Sequence, residues 1–134
     1  MDGIRIALVD DDADDREFIV MALNESGDEI KVAPYSSGQT FVNSLSKETL
    51  PDLVITDLRM PLMNGFEVIR HLKEDRRTRD LPVVVLSTSG SESDRRRAAE
   101  LGCIAYYEKP FTLDGYGSIT SDIIGRFNRG VLGC

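Results

Sequence analysis

Five aspartates occupy six consecutive positions directly after the apolar run at residues 4–9, namely Asp10, Asp11, Asp12, Asp14 and Asp15. Two carboxylates about 5 Å apart repel each other by about 3 kcal/mol at an effective dielectric constant near 20, so three together favour protonation or a bound cation. Oxygen ligands select a hard ion, and Mg²⁺, which takes one or two carboxylates with phosphate oxygens, fits better than Ca²⁺. We predict a metal site at Asp10 to Asp12 and assign Asp14 and Asp15 to a first helical turn.

Polar residues of the types used in phosphoryl transfer follow three other apolar runs. They are Asp57, Ser87, Thr88 and Lys109, the last of which precedes Pro110. Phosphoryl transfer requires an in-line nucleophile, a metal ion and donors spread over the transferring oxygens. The carboxylate of Asp57 can attack, and the ammonium group of Lys109 can neutralise developing charge. Taken separately, the acidic run is typical of a solvated helix cap and Lys109 of a surface lysine, but their shared placement after apolar runs favours one site.

The elements that must position these residues alternate along the chain. Short β-type runs at residues 4–9, 30–35, 52–56, 82–87 and 104–108 are separated by amphipathic stretches that predict helices at about 14–26, 38–46, 65–74, 92–101 and 117–128. A (βα)5 alternation with right-handed crossovers predicts an α/β doubly wound sandwich of the flavodoxin-like kind, with five parallel strands in the order 2-1-3-4-5. Ligands of such folds bind beyond the carboxyl ends of the strands, which is where the polar residues fall.

The composition limits the class of protein. The chain has 134 residues, of which 41% are hydrophobic, and its formal net charge is −7. This length suits one domain, and the negative charge disfavours direct binding to nucleic acid or to anionic membranes. No apolar run approaches the roughly 20 residues of a membrane span, and the N-terminus lacks the pattern of a signal peptide. We therefore expect a cytoplasmic protein.

Four motifs together resemble the receiver domain of two-component response regulators. They are LVDDD, then DLRMPLMNG at residues 57–65, VLSTS at 85–89 and YYEKPF at 106–111. The resemblance implies one receiver domain over residues 1–134 with no output domain, and a signal-transduction role as a phosphoprotein rather than an enzyme with an external substrate. A sensor histidine kinase or a phosphotransfer protein would donate the phosphoryl group, and a downstream protein target would read the resulting aspartyl phosphate.

The same resemblance assigns the site residues by position. Asp57 would accept the phosphoryl group and bind Mg²⁺, or Mn²⁺ in its place, together with Asp11 directly, Asp10 through water and the main-chain carbonyl of Arg59. Ser87 and Lys109 would contact the phosphoryl oxygens, joined by the backbone N–H of Thr88. Ser87 and Tyr106 would form the switch, with Tyr107 beside them as a second candidate ring. The side chains of Arg59 and Ser89 would govern the access of water to the phosphoryl group.

Some alternatives stay open on the sequence. A flavodoxin-type electron carrier shares the architecture, but the acidic loop at residues 10–15 would repel the phosphate of its cofactor. A phosphatase of the haloacid dehalogenase type needs a second acid two residues after the nucleophile, where this chain has Arg59. Glycines in the last helix leave its first turn and the choice between monomer and homodimer undetermined. The segment LSTSGS and the long loop before Leu81 are similar to single-domain receivers that work with phytochrome-type kinases.

Overall fold

The computed structural model describes residues 3–26, 29–46 and 49–130, in which five strands alternate with five helices. The strands are β1 (Ile4–Val9), β2 (Ile30–Tyr35), β3 (Leu53–Thr56), β4 (Val83–Ser87) and β5 (Ala105–Glu108). The helices are α1 (Ala13–Ser26), α2 (Gly38–Ser44), α3 (Gly65–Glu74), α4 (Glu92–Leu101) and α5 (Leu113–Asn128). All the strand pairs are parallel and their order is β2-β1-β3-β4-β5, which confirms the predicted fold class.

The central strands are apolar throughout because helices cover both faces of the sheet. Every residue of β3 and β4 is buried. Successive side chains alternate between two cores, so Val83 and Val85 pack with α2, α3 and α4, whereas Val84 and Leu86 pack with α1 and α5. The sheet is therefore a rigid middle layer, as expected for parallel strands buried on both sides.

The hydrogen-bond ladder of the sheet continues one residue past the ends of β3 and β5. Those two residues, Asp57 and Lys109, are candidate site residues from the sequence. The N–H of Asp57 donates to the carbonyl of Val9 at 2.9 Å, and the N–H of Lys109 donates to the carbonyl of Ser87 at 2.7 Å. Main-chain hydrogen bonds thus fix where the side chains of Asp57 and Lys109 begin. This is the carboxyl edge of the sheet, where ligands of such folds bind.

The last helix begins at Leu113. The sequence had predicted a start near residue 117, so that prediction was wrong. Thr112 caps it, because its side chain accepts a hydrogen bond from the N–H of Gly115 at 3.0 Å. The ring of Tyr116 is 5% exposed and packs with the core on the α1 side of the sheet. The cap and this burial outweigh the helix propensity lost at Gly115 and Gly117, which is up to about 1 kcal/mol each.

The helices are short. Across the ranges that the structure describes, none is both long and apolar enough to cross a lipid bilayer. The longest, α5, has 16 residues, fewer than the roughly 20 that a membrane span requires. The apolar side of each helix instead faces the sheet.

Gly65 fixes the loop that follows Asp57. Its N–H donates to the carbonyl of Leu58 at 2.9 Å, and Asn64 caps α3 through a reciprocal capping box with Glu67. A Cβ atom on Gly65 would lie 2.1 Å from the carbonyl oxygen of Asp57 and 2.8 Å from Cα of Leu58. Both neighbours are main-chain atoms, so a side chain at position 65 would displace the loop itself.

We expect Gly65→Ala to lower the free energy of unfolding by about 1–3 kcal/mol, as overpacking does. Gly117→Ala is the matched control, because a Cβ at that helical position meets no atom within 4 Å. It should raise stability by about 0.5–1 kcal/mol. Urea denaturation of both variants measures the difference, and equal effects would contradict the close approach at Gly65.

Candidate functional site

Three of the predicted metal ligands lie together at the carboxyl edge of the sheet. One carboxylate oxygen from each of Asp10, Asp11 and Asp57 lies within 4.8 Å of the other two. Asp10 and Asp57 are buried, whereas Asp11 is exposed. The N–H of Asp12 donates to Asp10 at 3.0 Å, and Asp12 in turn accepts from the N–H of Asp15 at 2.9 Å, which caps α1. The acidic run thus serves both as a helix cap and as a cluster of oxygen donors.

Lys109 lies at the centre of this cluster. Its side chain is 4% exposed, and its ammonium nitrogen lies 2.8 Å from Asp10, 2.9 Å from Asp57 and 2.7 Å from Asp15. A lysine ammonium has three N–H donors, so these three carboxylates can occupy all of them. The predicted proximity of Lys109 and Asp57 is therefore present in the structure.

Asp15, which the sequence pattern assigned to the helix alone, also belongs to this cluster. Asp15 does lie in the first turn of α1, but its Oδ2 contacts Lys109 and its Oδ1 accepts from the hydroxyl of Tyr116 at 3.4 Å. Helical side chains tilt towards the N-terminus of their helix, so the third residue of α1 points back to the strand edge. This tilt of helical side chains is the feature from which the sequence could have predicted that Asp15 faces the site. Asp14 is exposed, as a first-turn acid on the solvent side would be.

The charges at the site are not balanced by the protein alone. Burial raises the pKa of Asp10 to about 6, even though Lys109 and the N–H of Asp12 act in the opposite direction. Burial would lower the pKa of Lys109, but its hydrogen bonds to Asp10, Asp15 and Asp57 raise it above the ordinary value, so the ammonium stays charged. Three carboxylates, those of Asp10, Asp15 and Asp57, thus contact Lys109, and the exposed Asp11 adds a fourth to the cluster. A divalent cation held by oxygen ligands fits this donor set.

Both oxygens of Asp57 are engaged. Oδ1 accepts from the N–H of Leu58 at 2.6 Å and more weakly from that of Arg59 at 3.4 Å, while Oδ2 accepts from Lys109. The residue is 7% exposed. Its carboxylate therefore has a defined orientation, which a nucleophile for in-line attack requires.

The end of β4 connects this cluster to β5. Ser87 is fully buried, and its hydroxyl accepts from the N–H of Ser89 at 3.2 Å, while Thr88 between them is exposed. The hydroxyl of Tyr106 donates to the carbonyl of Ser89 at 2.7 Å, and the guanidinium of Arg95 lies 4.6 Å from the Tyr106 ring centroid. Tyr106 thus bonds to the loop between β4 and α4.

The adjacent tyrosine faces the other way. The hydroxyl of Tyr107 donates to Asp122 of α5 at 2.5 Å, and its ring packs against the core formed with α1 and α5. Burial raises the pKa of Tyr107 to about 12, assisted by Asp122. Of the two candidate rings, Tyr106 is the one hydrogen-bonded to the loop after β4, at Ser89.

Two side chains that were expected to flank the acceptor, those of Arg59 and Ser89, both form hydrogen bonds to Asp94. The guanidinium of Arg59 and the hydroxyl of Ser89 both donate to Oδ2 of Asp94, at 2.5 Å and 2.6 Å. The hydrogen bond from Ser89 lowers the pKa of Asp94, and the charge of Arg59 adds to this effect against the opposing effect of burial. Asp94 is also an acid in the first turn of α4.

Two curated relatives illustrate the similarity of this chain to known proteins. It is 39% identical over 109 residues to the phosphate regulon transcriptional regulatory protein PhoB of Escherichia coli (strain K12), covering 81% of this chain and 46% of that protein. It is 36% identical over 123 residues to the response regulator Rre1 of Synechocystis sp. (strain ATCC 27184 / PCC 6803 / Kazusa), covering 92% of this chain and 52% of Rre1. The chain therefore spans about half the length of these relatives.

Solved structures agree over nearly the whole chain. The phosphorylated cyanobacterial phytochrome response regulator RcpA superposes with a TM-score of 0.88 at 30% identity, with 94% of both chains covered. The Mn²⁺-bound form of the response regulator Rcp1 gives a TM-score of 0.84 at 25% identity, with 92% of this chain and 94% of Rcp1 covered.

The family model of the response regulator receiver domain matches residues 6–116. The match begins in β1 and ends in the first turns of α5. It includes the acidic cluster, Ser87 and Lys109, and all four of the motifs in which the sequence resembles receivers. This chain belongs to the receiver domain family of two-component response regulators.

Proposed function

We propose that this chain is a phosphoacceptor of two-component signal transduction, in which Asp57 takes a phosphoryl group from a phosphohistidine. The observation that carries the proposal is the convergence of Asp10, Asp11 and Asp57 within 4.8 Å, with the Lys109 ammonium 2.9 Å from the acceptor carboxylate. The donor is a sensor histidine kinase or a phosphotransfer protein. The chain acts only on itself, by self-phosphorylation and self-dephosphorylation, and turns over no external substrate.

The transfer follows from the groups around Asp57. One carboxylate oxygen attacks the phosphorus in line as the bond to the donor histidine nitrogen breaks. Lys109, already bonded to Asp57, neutralises charge on the phosphoryl oxygens, and the Ser87 hydroxyl and Thr88 N–H donate to them. Mg²⁺, held by Asp10, Asp11, Asp57 and the carbonyl of Arg59, would supply the positive charge that brings an anionic donor to an acidic site. Mn²⁺ prefers similar oxygen ligands and can replace it.

Two apolar side chains near the acceptor support docking of a protein donor. Leu62 follows Asp57 by five residues and Phe111 follows Lys109 by two, and both are fully exposed. Leu62 also has a φ of 69°, an uncommon conformation for a residue with a branched side chain. Exposed apolar residues in the two loops that follow Asp57 and Lys109 fit a protein donor, which could cover them, better than a small-molecule donor.

The similarity to RcpA favours one donor class within this proposal. RcpA is described as a phytochrome response regulator, and the two chains cover 94% of each other. We therefore propose a phytochrome-type histidine kinase as the donor for this chain. The net charge of −7 favours a protein rather than nucleic acid as the direct downstream partner.

The output step uses the contact between β5 and the loop after β4. Phosphorylation draws the Ser87 hydroxyl towards the phosphoryl oxygens, which moves the loop to which Tyr106 is bonded. Because the Tyr106 hydroxyl donates to the carbonyl of Ser89, a shift of that loop breaks or relocates this hydrogen bond. The ring then changes the surface formed by α4, β5 and α5, where the downstream protein binds.

Asp57→Asn should abolish phosphorylation by a phosphohistidine donor or by acetyl phosphate, because the neutral amide does not replace the carboxylate as a nucleophile. The fold should be kept, because the two side chains have nearly the same volume. Asp14→Asn is the matched control, since Asp14 is an exposed acid of the same acidic run with no described contact to the site. It should accept phosphate normally. Radiolabelling with the folded state checked by circular dichroism measures both, and acid-labile phosphate on Asp57→Asn would exclude Asp57 as the acceptor.

Millimolar Mg²⁺ should raise the melting temperature of the wild type, because the ion binds the folded state and relieves carboxylate repulsion. At a Mg²⁺ concentration of 100 times the dissociation constant, the free energy of unfolding should rise by about 2.7 kcal/mol. Asp11→Ala should lose this gain and Asp14→Asn should keep it. An unchanged melting temperature in the wild type would argue against the metal site.

The gain from Mg²⁺ should shrink as the pH falls through about 6, where Asp10 takes up a proton that competes with the metal. The pKa of Asp10 is raised from its ordinary value of 3.8, so the folded metal-free protein binds more protons than the unfolded chain between about pH 6 and pH 4. The contribution of Asp10 to metal-free stability therefore rises as the pH falls. Melting curves with and without Mg²⁺ should converge at low pH.

Ser87→Ala should still accept phosphate, about tenfold more slowly, which corresponds to about 1.4 kcal/mol of barrier. Both Ser87→Ala and Tyr106→Phe should show smaller chemical-shift changes on α4, β5 and α5 after phosphorylation. Tyr107→Phe is the control, because that hydroxyl bonds to Asp122 on the opposite face. Wild-type shift changes in the first two variants would remove Ser87 and Tyr106 from the output step.

A further inference from the structure

One carboxylate joins the loop after β3 to the loop after β4. Oδ2 of Asp94 accepts from the guanidinium of Arg59 and from the hydroxyl of Ser89. The side chain of Asp94 is 11% exposed, whereas that of Arg59 is 63% exposed. The acceptor of this ion pair is therefore enclosed, while its donor reaches it from the solvent side.

Hydrogen bonds hold Asp94 at the start of its own helix. The backbone N–H of Asp94 donates to the hydroxyl of Ser91, the N-cap of α4, at 3.0 Å. The N–H of Ser91 in turn donates to the hydroxyl of Ser89 at 3.3 Å. With the hydrogen bond from the hydroxyl of Ser89, three hydrogen bonds thus fix Asp94 in the first turn of α4. Nothing comparable holds the guanidinium of Arg59, which in the described part of the chain has Asp94 as its ion-pair partner.

Arg59 starts beside the acceptor. Its N–H lies 3.4 Å from Oδ1 of Asp57, so its long side chain is anchored next to the place where a phosphoryl group would be attached. A phosphoryl group carries up to about two negative charges against the one of Asp94, and a guanidinium pairs well with phosphate oxygens. Two anions, one permanent and one added by phosphorylation, therefore lie within reach of a single cation.

We propose that Asp94 competes with the phosphoryl group for Arg59 and thereby shortens the lifetime of the phosphorylated protein. The inference rests on the proposed acceptor role of Asp57. Hydrolysis proceeds when a water oxygen bonds to phosphorus as the bond to the Asp57 oxygen breaks, leaving the carboxylate and inorganic phosphate and releasing a proton to solvent. Arg59 bound to the phosphoryl oxygens lies across the approach of that water, and Arg59 held by Asp94 does not. Asp94 is thus a positioning residue that acts through Arg59.

The test is the first-order rate of phosphate loss from protein labelled at Asp57, in excess Mg²⁺. Arg59→Ala should lose phosphate about fivefold faster than the wild type, equal to about 1 kcal/mol of barrier. Asp94→Asn should lose it about fivefold more slowly, because Arg59 is released to the phosphoryl group. In the Arg59→Ala background, Asp94→Asn should have no further effect, which a purely structural role of Asp94 does not predict.

The controls separate this inference from the proposed function. Glu92→Gln changes an exposed acid in the same turn of α4 and should keep the wild-type lifetime. Asp94→Ser retains a polar acceptor at the helix start and repeats the test if Asp94→Asn does not fold. Equal or faster phosphate loss in Asp94→Asn, or the same slowing with and without Arg59, overturns the competition. Absence of labelling in the wild type overturns the acceptor role itself, and this inference with it.

Discussion

Lys109 contacts the carboxylates of Asp10, Asp15 and Asp57, which come from the end of β1, the start of α1 and the end of β3. Removing an ammonium and several carboxylates from water costs several kcal/mol per ion unless each is well paired. The strand ladder, the cap of α1 and the close approach of Gly65 all serve to hold these partners at hydrogen-bonding distance. Even so, the acids outnumber the one cation, and that surplus makes the site receptive to a divalent ion.

The two faces of β5 separate two kinds of contact. Tyr106 points to the side of α4 and Tyr107 to the side of α5, because neighbouring residues of a strand face opposite ways. The hydroxyl of Tyr106 is therefore hydrogen-bonded to the loop after β4, whereas that of Tyr107 is hydrogen-bonded to α5. The same loop contains Ser89, so the site at the strand edge and the outer surface of α4 share one short segment of backbone.

Local patterns in the sequence were enough to predict most of the fold. Apolar runs such as VVVL identified the buried strands, and the residue after each run identified the edge at which Asp57 and Lys109 lie, since parallel strands end on the same side. Local patterns could not predict which remote residues the helical side chains contact, even where they indicate the direction of the side chain. The direction of Asp15 towards Lys109 and the meeting of Arg59 with Asp94 join elements 94 and 35 residues apart. The start of α5 was misplaced because propensity was read without the burial of Tyr116.

The partners of Lys109 are also remote from it along the chain: 94 residues separate it from Asp15 and 52 from Asp57. Closing loops of this length is entropically unfavourable, so these contacts depend on the rest of the sheet being formed. Pairing of β5 with β4 brings the ammonium group of Lys109 to the site. A chain in which β5 is not paired with β4 therefore lacks the cation beside Asp57, so the site is complete only in the fully folded protein.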